Sequence, residues 1–339
     1  MKKIVFVVLV LSLSLNMAGA IERNLFETVR DQLASHQVDD RYDDGTARFV
    51  WLNEPATIEL SIGSVEVQGL LSVSPSGYVS TVDFVGPQWI DTPAGTVESI
   101  GVTFHENGPL KIVHTGDTQL LTTPVGEVAL LEYVRFFENG VPEELRPAEP
   151  VVVAGAFGEL LVDEVIGFHP NGTVRSLQFT GEQVLLMPDG TQRAVVLVNF
   201  HDDGTIALVQ FSAPLILETA NLPISNVAAA AYRRDGSPDL ALLTAPERFA
   251  TPGGTFTMPV VVFLPDGGVA GGVLVPPQSF TTPLGEFPLL AVAFRPDGSI
   301  ERAAPLEPRV IDGVEYSIQR WMLFDDNGRL AGGVEMSMF

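Results

Sequence analysis

Three histidines, His105, His169 and His201, occupy the same position in a recurring pattern, three residues before a glycine. Imidazole nitrogens bind metal ions and form hydrogen bonds, so aligned histidines are candidate ligands. If the pattern folds into successive antiparallel hairpins, neighbouring equivalents lie two strands, or about 10 Å, apart. Zinc needs ligands about 2 Å from one point. We therefore predict no metal site and no other cofactor, and a row of exposed histidines that lines a binding surface remains open.

Two glutamates, Glu132 and Glu164, stand four residues before Phe136 and Phe168. Alternate residues of a strand share a face, so both carboxylates fall on the aromatic face, about 10 Å apart. That distance is near the upper end of the roughly 6.5–9.5 Å found in inverting glycosidases. A bend in the strand would instead turn them to solvent or beside Arg135. We retain both as candidate binding residues and predict no catalytic residue, since the chain has no serine nucleophile elbow, Walker loop or dinucleotide fingerprint.

Paired aspartates at 43–44, 202–203 and 325–326 offer carboxylate oxygens, which Ca²⁺ prefers. None of these pairs matches an EF-hand or a nonapeptide calcium repeat. Aspartate is also a common turn residue without any ion. The sequence leaves calcium open and favours the turn explanation.

A sequence repeat must position all these side chains. A glycine recurs about every 32 residues, and Asp or Asn precedes it in nine of ten cases. Phe or Tyr stands four residues before eight of these glycines. A fixed period of this length predicts an array of similar units. The ten glycines are Gly45, Gly77, Gly108, Gly140, Gly172, Gly204, Gly236, Gly267, Gly298 and Gly328.

Two kinds of turn alternate along the array. At 295–298 the order Arg-Pro-Asp-Gly predicts a type I turn followed by a glycine bulge, a common hairpin connection. A second series, T-P-x-G, interleaves with the first at 92–95, 123–126, 251–254 and 282–285. Each unit thus has two chain reversals.

Segments between the turns alternate apolar and other residues, as in Leu290, Val292 and Phe294, which predicts strands. Prolines seven to ten residues after the first-series glycine predict a bend or split in the longer strand. We predict an all-β fold: an antiparallel β-hairpin array of about ten units, forming a bent two-layer meander at 39–339. A short amphipathic helix at 21–38, with Asn24 and Glu27 as a capping box, would cap its first repeat.

The motif Phe-x-x-Asn-Gly at 104–108, 136–140 and 168–172 resembles the MORN-variant and other short β-hairpin repeats of bacterial proteins. The resemblance covers five to seven residues of each unit, over most of the chain. It implies a β-repeat scaffold used for binding or assembly, with no catalytic residue.

The first twenty residues predict a secretory signal peptide: Lys2 and Lys3, an apolar stretch at 4–15 and small residues at 18–20. The chain has no Cys, so disulfides and thiolate metal sites are excluded. Its net charge of −23 opposes binding to nucleic acid and anionic lipid. We expect a mature chain without a transmembrane helix that is periplasmic, outer-membrane-associated or secreted.

The repeat offers an extended surface of equivalent positions and no unique cleft, which favours a non-enzymatic role. We predict a binding or structural module of the bacterial cell envelope whose partner is an envelope protein or glycan. An outer-membrane β-barrel is the alternative, favoured by many strands, tight turns and the terminal Phe339. A hydrolase that uses Glu132 and Glu164 is the third possibility. The partner's identity and the oligomeric state stay open.

Overall fold

The all-β prediction is confirmed by the computed structural model of the chain, in which the described residues contain no helix and strands make up 72%. The predicted signal peptide at 1–20 and most of the predicted helix at 21–38 lie outside the described residues. Gln37 and Val38 are described, and they begin a strand. The structure describes residues 37–41, 47–75, 79–219, 221–282, 284–317 and 319–335.

The chain divides into two compact units. Among the described residues, the first unit comprises those within 37–155 and 159–180, and the second comprises those within 156–158 and 181–335. Strands of the first unit are β1 (Gln37–Arg41), β2 (Ala47–Leu60), β3 (Gly63–Val73), β4 (Val79–Thr92), β5 (Gly95–Phe104), β6 (Leu110–His114), β7 (Gln119–Thr123), β8 (Gly126–Phe136), β9 (Pro142–Pro147), β10 (Val151–Gly155), β11 (Gly158–Val162) and β12 (Val165–Phe168).

Two strands contribute residues to both units: β11, whose first residue Gly158 belongs to the second unit, and β13 (Val174–Leu186). Strands of the second unit are β14 (Gln192–Phe200), β15 (Ile206–Glu218), β16 (Pro223–Tyr232), β17 (Pro238–Thr251), β18 (Gly254–Phe263), β19 (Val269–Thr282), β20 (Gly285–Phe294), β21 (Ile300–Pro305), β22 (Arg309–Ile311), β23 (Val314–Tyr316), β24 (Arg320–Phe324) and β25 (Leu330–Glu335).

Twenty-one of these strands form one antiparallel meander sheet. Most strands pair with their neighbours in the chain. Where the longer strand splits, pairing skips the inserted segment: β6 also pairs with β8 past the single strand β7, β9 pairs with β12 past the hairpin β10–β11, and β21 pairs with β24 past the hairpin β22–β23. The hairpins β10–β11 and β22–β23 form separate two-stranded sheets. Within the described residues no helix could span a membrane.

Both predicted turn types have the geometry that their sequences require. In the first series, Gly298 N donates to Arg295 O at 3.0 Å, Arg295 N donates to Ser299 O at 2.8 Å, and Gly298 has φ +85°. A side chain at that φ is strained, which explains the glycine. In the second series, Thr92 Oγ1 donates to Gly95 O at 2.6 Å and accepts from Ala94 N at 3.2 Å.

The prolines lie in bulges of the longer strands. Between β17 and β18, Leu242 pairs with Val260 and Glu247 pairs with Met258, so β17 uses five steps against two on β18. Pro246 falls among the unpaired residues, where it displaces no ladder hydrogen bond. The same five-against-two count occurs in β4 around Pro87, in β15 around Pro214 and in β19 around Pro276 and Pro277.

A glutamine side chain follows one of these bulges and links successive hairpins. The amide of Gln88 accepts from Glu66 N at 2.8 Å and donates to Glu66 O at 2.6 Å. It therefore replaces a peptide group of the interrupted ladder. Gln119 accepts from Glu98 N at 3.4 Å one repeat later.

The aromatic row is buried, as the alternation predicts. In the second unit Phe294, at the end of β20, stacks on Phe256, near the start of β18, with ring centroids 5.6 Å apart. Phe200 packs against Phe157 at 4.4 Å. In the second unit, residues on either side of the bulges are thus in contact. The buried members of the row are Phe104, Phe136, Phe168, Phe200, Tyr232, Phe263, Phe294 and Phe324.

Candidate functional site

The three candidate histidines are half-buried, each just after the aromatic residue that ends a strand. His105 Nε2 lies 2.9 Å from Phe136 O, and His201 Nε2 lies 3.0 Å from Tyr232 O. A carbonyl oxygen only accepts, so Nε2 is the donor in both contacts and carries the hydrogen. Each imidazole therefore links one repeat to the next. His169 also has an interaction partner.

Arginines at the same place in later repeats make the same link. Arg233 Nη2 donates to Phe263 O at 2.6 Å, and Arg295 Nη2 donates to Phe324 O. The position after the aromatic residue is thus a donor position, and either imidazole or guanidinium fills it. Repetition of this contact explains why histidines recur at one place in the sequence. His105 and His201 bind different carbonyls and are not brought to a common point.

The two candidate glutamates have different environments. Glu132 has φ +67° and lies within a bulge of β8. The bulge interrupts the strict alternation of side chains from which the inward position of Glu132 was predicted. Its side chain is 59% exposed and lies 3.7 Å from Arg146 Nη1. Glu164 is half-buried between β11 and β12. The bend that the sequence allowed is therefore present at Glu132, with Arg146 as the neighbouring cation in place of Arg135.

Next to Glu132, Tyr133 donates its phenolic hydrogen to Glu144 Oε1 at 2.8 Å. Burial raises the pKa of Tyr133, and the hydrogen bond to Glu144 raises it further, because both effects oppose the phenolate. At neutral pH, Tyr133 therefore keeps its phenolic hydrogen.

Of the turn aspartates that could attract calcium, Asp43 and Asp44 lie outside the described residues, and Asp202 and Asp203 are engaged by protein donors. Asp203 Oδ1 accepts from Thr205 Oγ1 at 2.6 Å and from Thr205 N at 3.0 Å. Arg234 Nη1 lies 2.9 Å from Asp203 Oδ2 and 2.6 Å from Asp202 Oδ1. These hydrogen bonds from Thr205, with the guanidinium, hold the pKa of Asp203 well below its usual range. The described residues contain no group of three or more His, Asp or Glu placed to hold a metal ion.

A row of exposed apolar side chains was missed at the sequence level. Trp89 is 65% exposed, Leu120 60%, and Val152 56%. They occupy the same position in three hairpins formed by residues 88–99, 119–130 and 151–162. With the exposed Leu161 of the third hairpin, we call these residues the apolar face of the first unit. Their spacing of 31 and 32 residues was the signal, but it lies outside the aromatic and glycine motif.

Local structure fixes the direction of the apolar face. The residues that alternate with these side chains, Ile90, Leu121 and Val153, are buried, so alternation directs Trp89, Leu120 and Val152 outward. The first two hairpins are neighbours, since Thr122 N donates to Ala94 O at 3.2 Å. The chain enters the third hairpin beside the second, since Ala148, three residues before Val151, donates its N–H to Ala129 O at 2.7 Å. The apolar face therefore crosses several strands.

Acidic residues flank the apolar face. Glu98 pairs directly with Trp89 across the first hairpin. Glu127 and Glu159 are the second residues of the return strands β8 and β11 and are exposed. None of these three glutamates forms an ion pair within the described part of the chain. The face consequently combines apolar side chains with uncompensated negative charge.

The first unit also contains a shallow cavity of about 350 Å³ over β2, β3 and β4. Trp51 and Val85 contribute exposed apolar surface, and Asn53 and Gln68 contribute amides. The lining holds no titratable group, so it offers a polar and apolar surface without acid–base chemistry. The complete lining is Trp51, Leu52, Asn53, Gln68, Gly69, Phe84 and Val85.

Comparison with known proteins gives no family. No family model and no curated protein matches the chain. Among solved structures, the chain is similar to the crystal structure of TcdB2-TccC3 without its hypervariable C-terminal region, at 8% identity and a TM-score of 0.14, with 90% of this chain and 16% of that chain covered. The Photorhabdus luminescens Tc holotoxin pore gives 8% identity and a TM-score of 0.13, with 88% and 19% covered. The chain thus spans less than a fifth of the length of these two structures.

Proposed function

We propose that the protein is an exported, non-enzymatic β-repeat protein that acts as a binding or structural module of the bacterial cell envelope. Its partner is an envelope protein or a glycan. The observation that carries the proposal is the repetition of the surface: Trp89, Leu120 and Val152 hold one outward position in successive hairpins. Equivalent positions on a regular scaffold suit an extended contact.

The donor position described above supports the same role. His105, His201, Arg233 and Arg295 bind carbonyls of the following repeat, so polar groups that otherwise suggest chemistry serve to fix the scaffold. A bent two-layer meander of about ten units would present its side chains in fixed register. Such a scaffold loses little conformational entropy when it binds.

Export is the first test. The full chain would be expressed in a Gram-negative host beside a variant with Lys2→Glu and Lys3→Glu. We expect the unaltered chain to be cleaved before Ile21 and to fractionate with the periplasm or envelope, because the positive n-region directs secretion. The altered chain should remain uncleaved in the cytoplasm. Equal cytoplasmic retention of both chains would contradict the proposed location.

An outer-membrane β-barrel remains the second candidate, and the exposed apolar side chains of Trp89, Leu120 and Val152 are the observation that favours it. The two candidates differ in solubility. We expect the mature chain to stay monodisperse without detergent, as a water-exposed scaffold does. A requirement for detergent, with heat-modifiable migration on a gel, would support the barrel instead.

The non-enzymatic assignment has its own test. Glu132→Gln and Glu164→Gln would be assayed beside the unaltered chain on a panel of envelope polysaccharides. We expect no turnover from any of the three proteins. Hydrolysis by the unaltered chain that both variants lose would assign a glycosidase role to the two carboxylates.

A further inference from the structure

We propose that the apolar face of the first unit binds a cationic amphipathic α-helix of a partner protein. The helix lies across the three hairpins and places one apolar side chain on each of Trp89, Leu120 and Val152. Lysines or arginines beside its apolar stripe face Glu98, Glu127 and Glu159. This inference specifies the partner for the binding role proposed above and therefore rests on it.

Spacing selects a helix. Where hairpins stack side by side at the strand spacing of a sheet, equivalent residues are two strands, or about 9.6 Å, apart. Seven residues of an α-helix advance about 10.5 Å and return to nearly the same side. A helix with apolar residues at heptad spacing therefore meets Trp89, Leu120 and Val152 in turn. Side chains on one face of an extended partner strand recur about every 6.7 Å, which does not match the spacing of about 9.6 Å between these three residues.

Burial of exposed apolar side chains would supply the binding free energy of this contact. Trp89 is 65% exposed and Leu120 60%, far more than core-facing neighbours such as Ile90 at 1% and Leu121 at 0%. Large aromatic side chains are favoured as centres of interfaces because they bury much area at low entropic cost. Trp89 is accordingly the expected anchor.

Charge selects a cationic partner. Glu98 stands directly across from Trp89, and Glu127 and Glu159 recur beside the other two hairpins. The three hairpins contain no Lys or Arg between residues 88 and 99, 119 and 130, or 151 and 162. A basic helix would gain favourable long-range attraction, whereas a second copy of a chain with net charge −23, or an anionic lipid surface, would be repelled.

The test uses a defined probe in solution. The probe is a synthetic helical peptide of about 21 residues with leucines along one face and flanking lysines. The mature protein carries Trp51→Phe, which leaves Trp89 as the exposed tryptophan, because Trp321 is buried. We expect a blue shift of Trp89 emission that saturates and weakens with added salt. A peptide of the same composition with dispersed leucines should bind at least about tenfold more weakly.

Matched variants locate the contact. Leu120→Ser removes a member of the apolar face, and Leu70→Ser removes an exposed leucine on β3 outside it. We expect Leu120→Ser to weaken binding at least about tenfold and Leu70→Ser to leave it unchanged. Glu98→Gln and Glu127→Gln should weaken binding and reduce its salt dependence. Thermal melting of each variant checks that the fold is retained.

Several results would overturn this assignment. Equal binding by Leu120→Ser and Leu70→Ser would place the contact elsewhere, and equal binding of both peptides would reduce it to charge alone. A Trp89 shift with neutral phosphatidylcholine vesicles but not with the peptide would assign the face to a membrane. Because the test uses purified protein, its failure is separable from a failure of export.

Discussion

His105 and Phe136 are joined by a hydrogen bond between an imidazole Nε2 and a main-chain carbonyl oxygen 2.9 Å away, across a boundary between repeats. Arg233 makes the same bond to Phe263. The chemistry that first distinguished these histidines therefore belongs to the scaffold. A ladder of such donors explains how units that share only a short motif keep one register.

Replacing His105 by Leu should lower the free energy of unfolding by about 1–2 kcal/mol, because Phe136 O would lose its donor in a half-buried setting. His105→Arg should cost less, because Arg233 and Arg295 already fill the equivalent position. Urea unfolding at constant pH measures both changes. Equal losses in the two variants would show that the donor is not what the position requires.

Phe200→Ala should lower the free energy of unfolding by about 3–5 kcal/mol, since it removes a buried ring that packs on Phe157. Trp89→Ala removes a larger side chain that is 65% exposed, and we expect less than about 1 kcal/mol. Denaturant midpoints of the two variants give the comparison. A small loss at Phe200 would mean that the aromatic row is not the core.

Gly253→Ala tests a close approach between a turn and the aromatic row. A Cβ at Gly253 would lie 2.2 Å from Phe294 Cε1, so the buried ring or the turn would have to move. We expect a loss of about 1–3 kcal/mol in the free energy of unfolding. Gly181 has open space around its Cβ position and no positive φ. Gly181→Ala is therefore the control, and we expect it to be neutral or slightly stabilising.

The turns and the dry aromatic row follow from the sequence because each depends on local rules. Asp297-Gly298 forms its turn through main-chain geometry, and Phe294 is directed inward by alternation. The bulges were signalled by prolines such as Pro246, since proline cannot donate to a ladder. These features need no knowledge of distant contacts.

The apolar face and the donor position were harder to predict, because the first depends on the bulges and the second on contacts between repeats. Three extra residues in β4 set which side chains between Pro87 and Thr92 face outward, and the sequence does not give their number. The positive φ of Glu132 likewise reverses a face assignment that alternation made. The partner carbonyl of His105 lies 31 residues away and becomes apparent only when the repeats are placed side by side.

Gln88 supplies a further test of the links between hairpins. Its amide donates to Glu66 O and accepts from Glu66 N. Gln88→Glu keeps an acceptor, loses the donor and places a carboxylate against a carbonyl oxygen. We expect a loss of about 1–2 kcal/mol in the free energy of unfolding at pH 7. The loss should shrink below pH 4, where the introduced carboxyl regains a proton and can donate, and a pH-independent loss would contradict this account.

Asp203 makes the stability of the second unit sensitive to acid. The hydrogen bonds from Thr205, together with Arg234, lower the pKa of Asp203, so the folded state binds a proton less readily than the unfolded state. The contribution of the Asp203 carboxylate to the free energy of unfolding is thus present at neutral pH and is lost as pH falls below about 4. Asp203→Asn keeps an acceptor for Thr205, as Asn171 does for Thr173, but cannot titrate. We expect this variant to be less stable than the unaltered chain at pH 7 and the difference to diminish by pH 2, measured by thermal unfolding at low salt. A difference that does not change with pH would show that the loss comes from altered geometry of the turn rather than from the charge on Asp203.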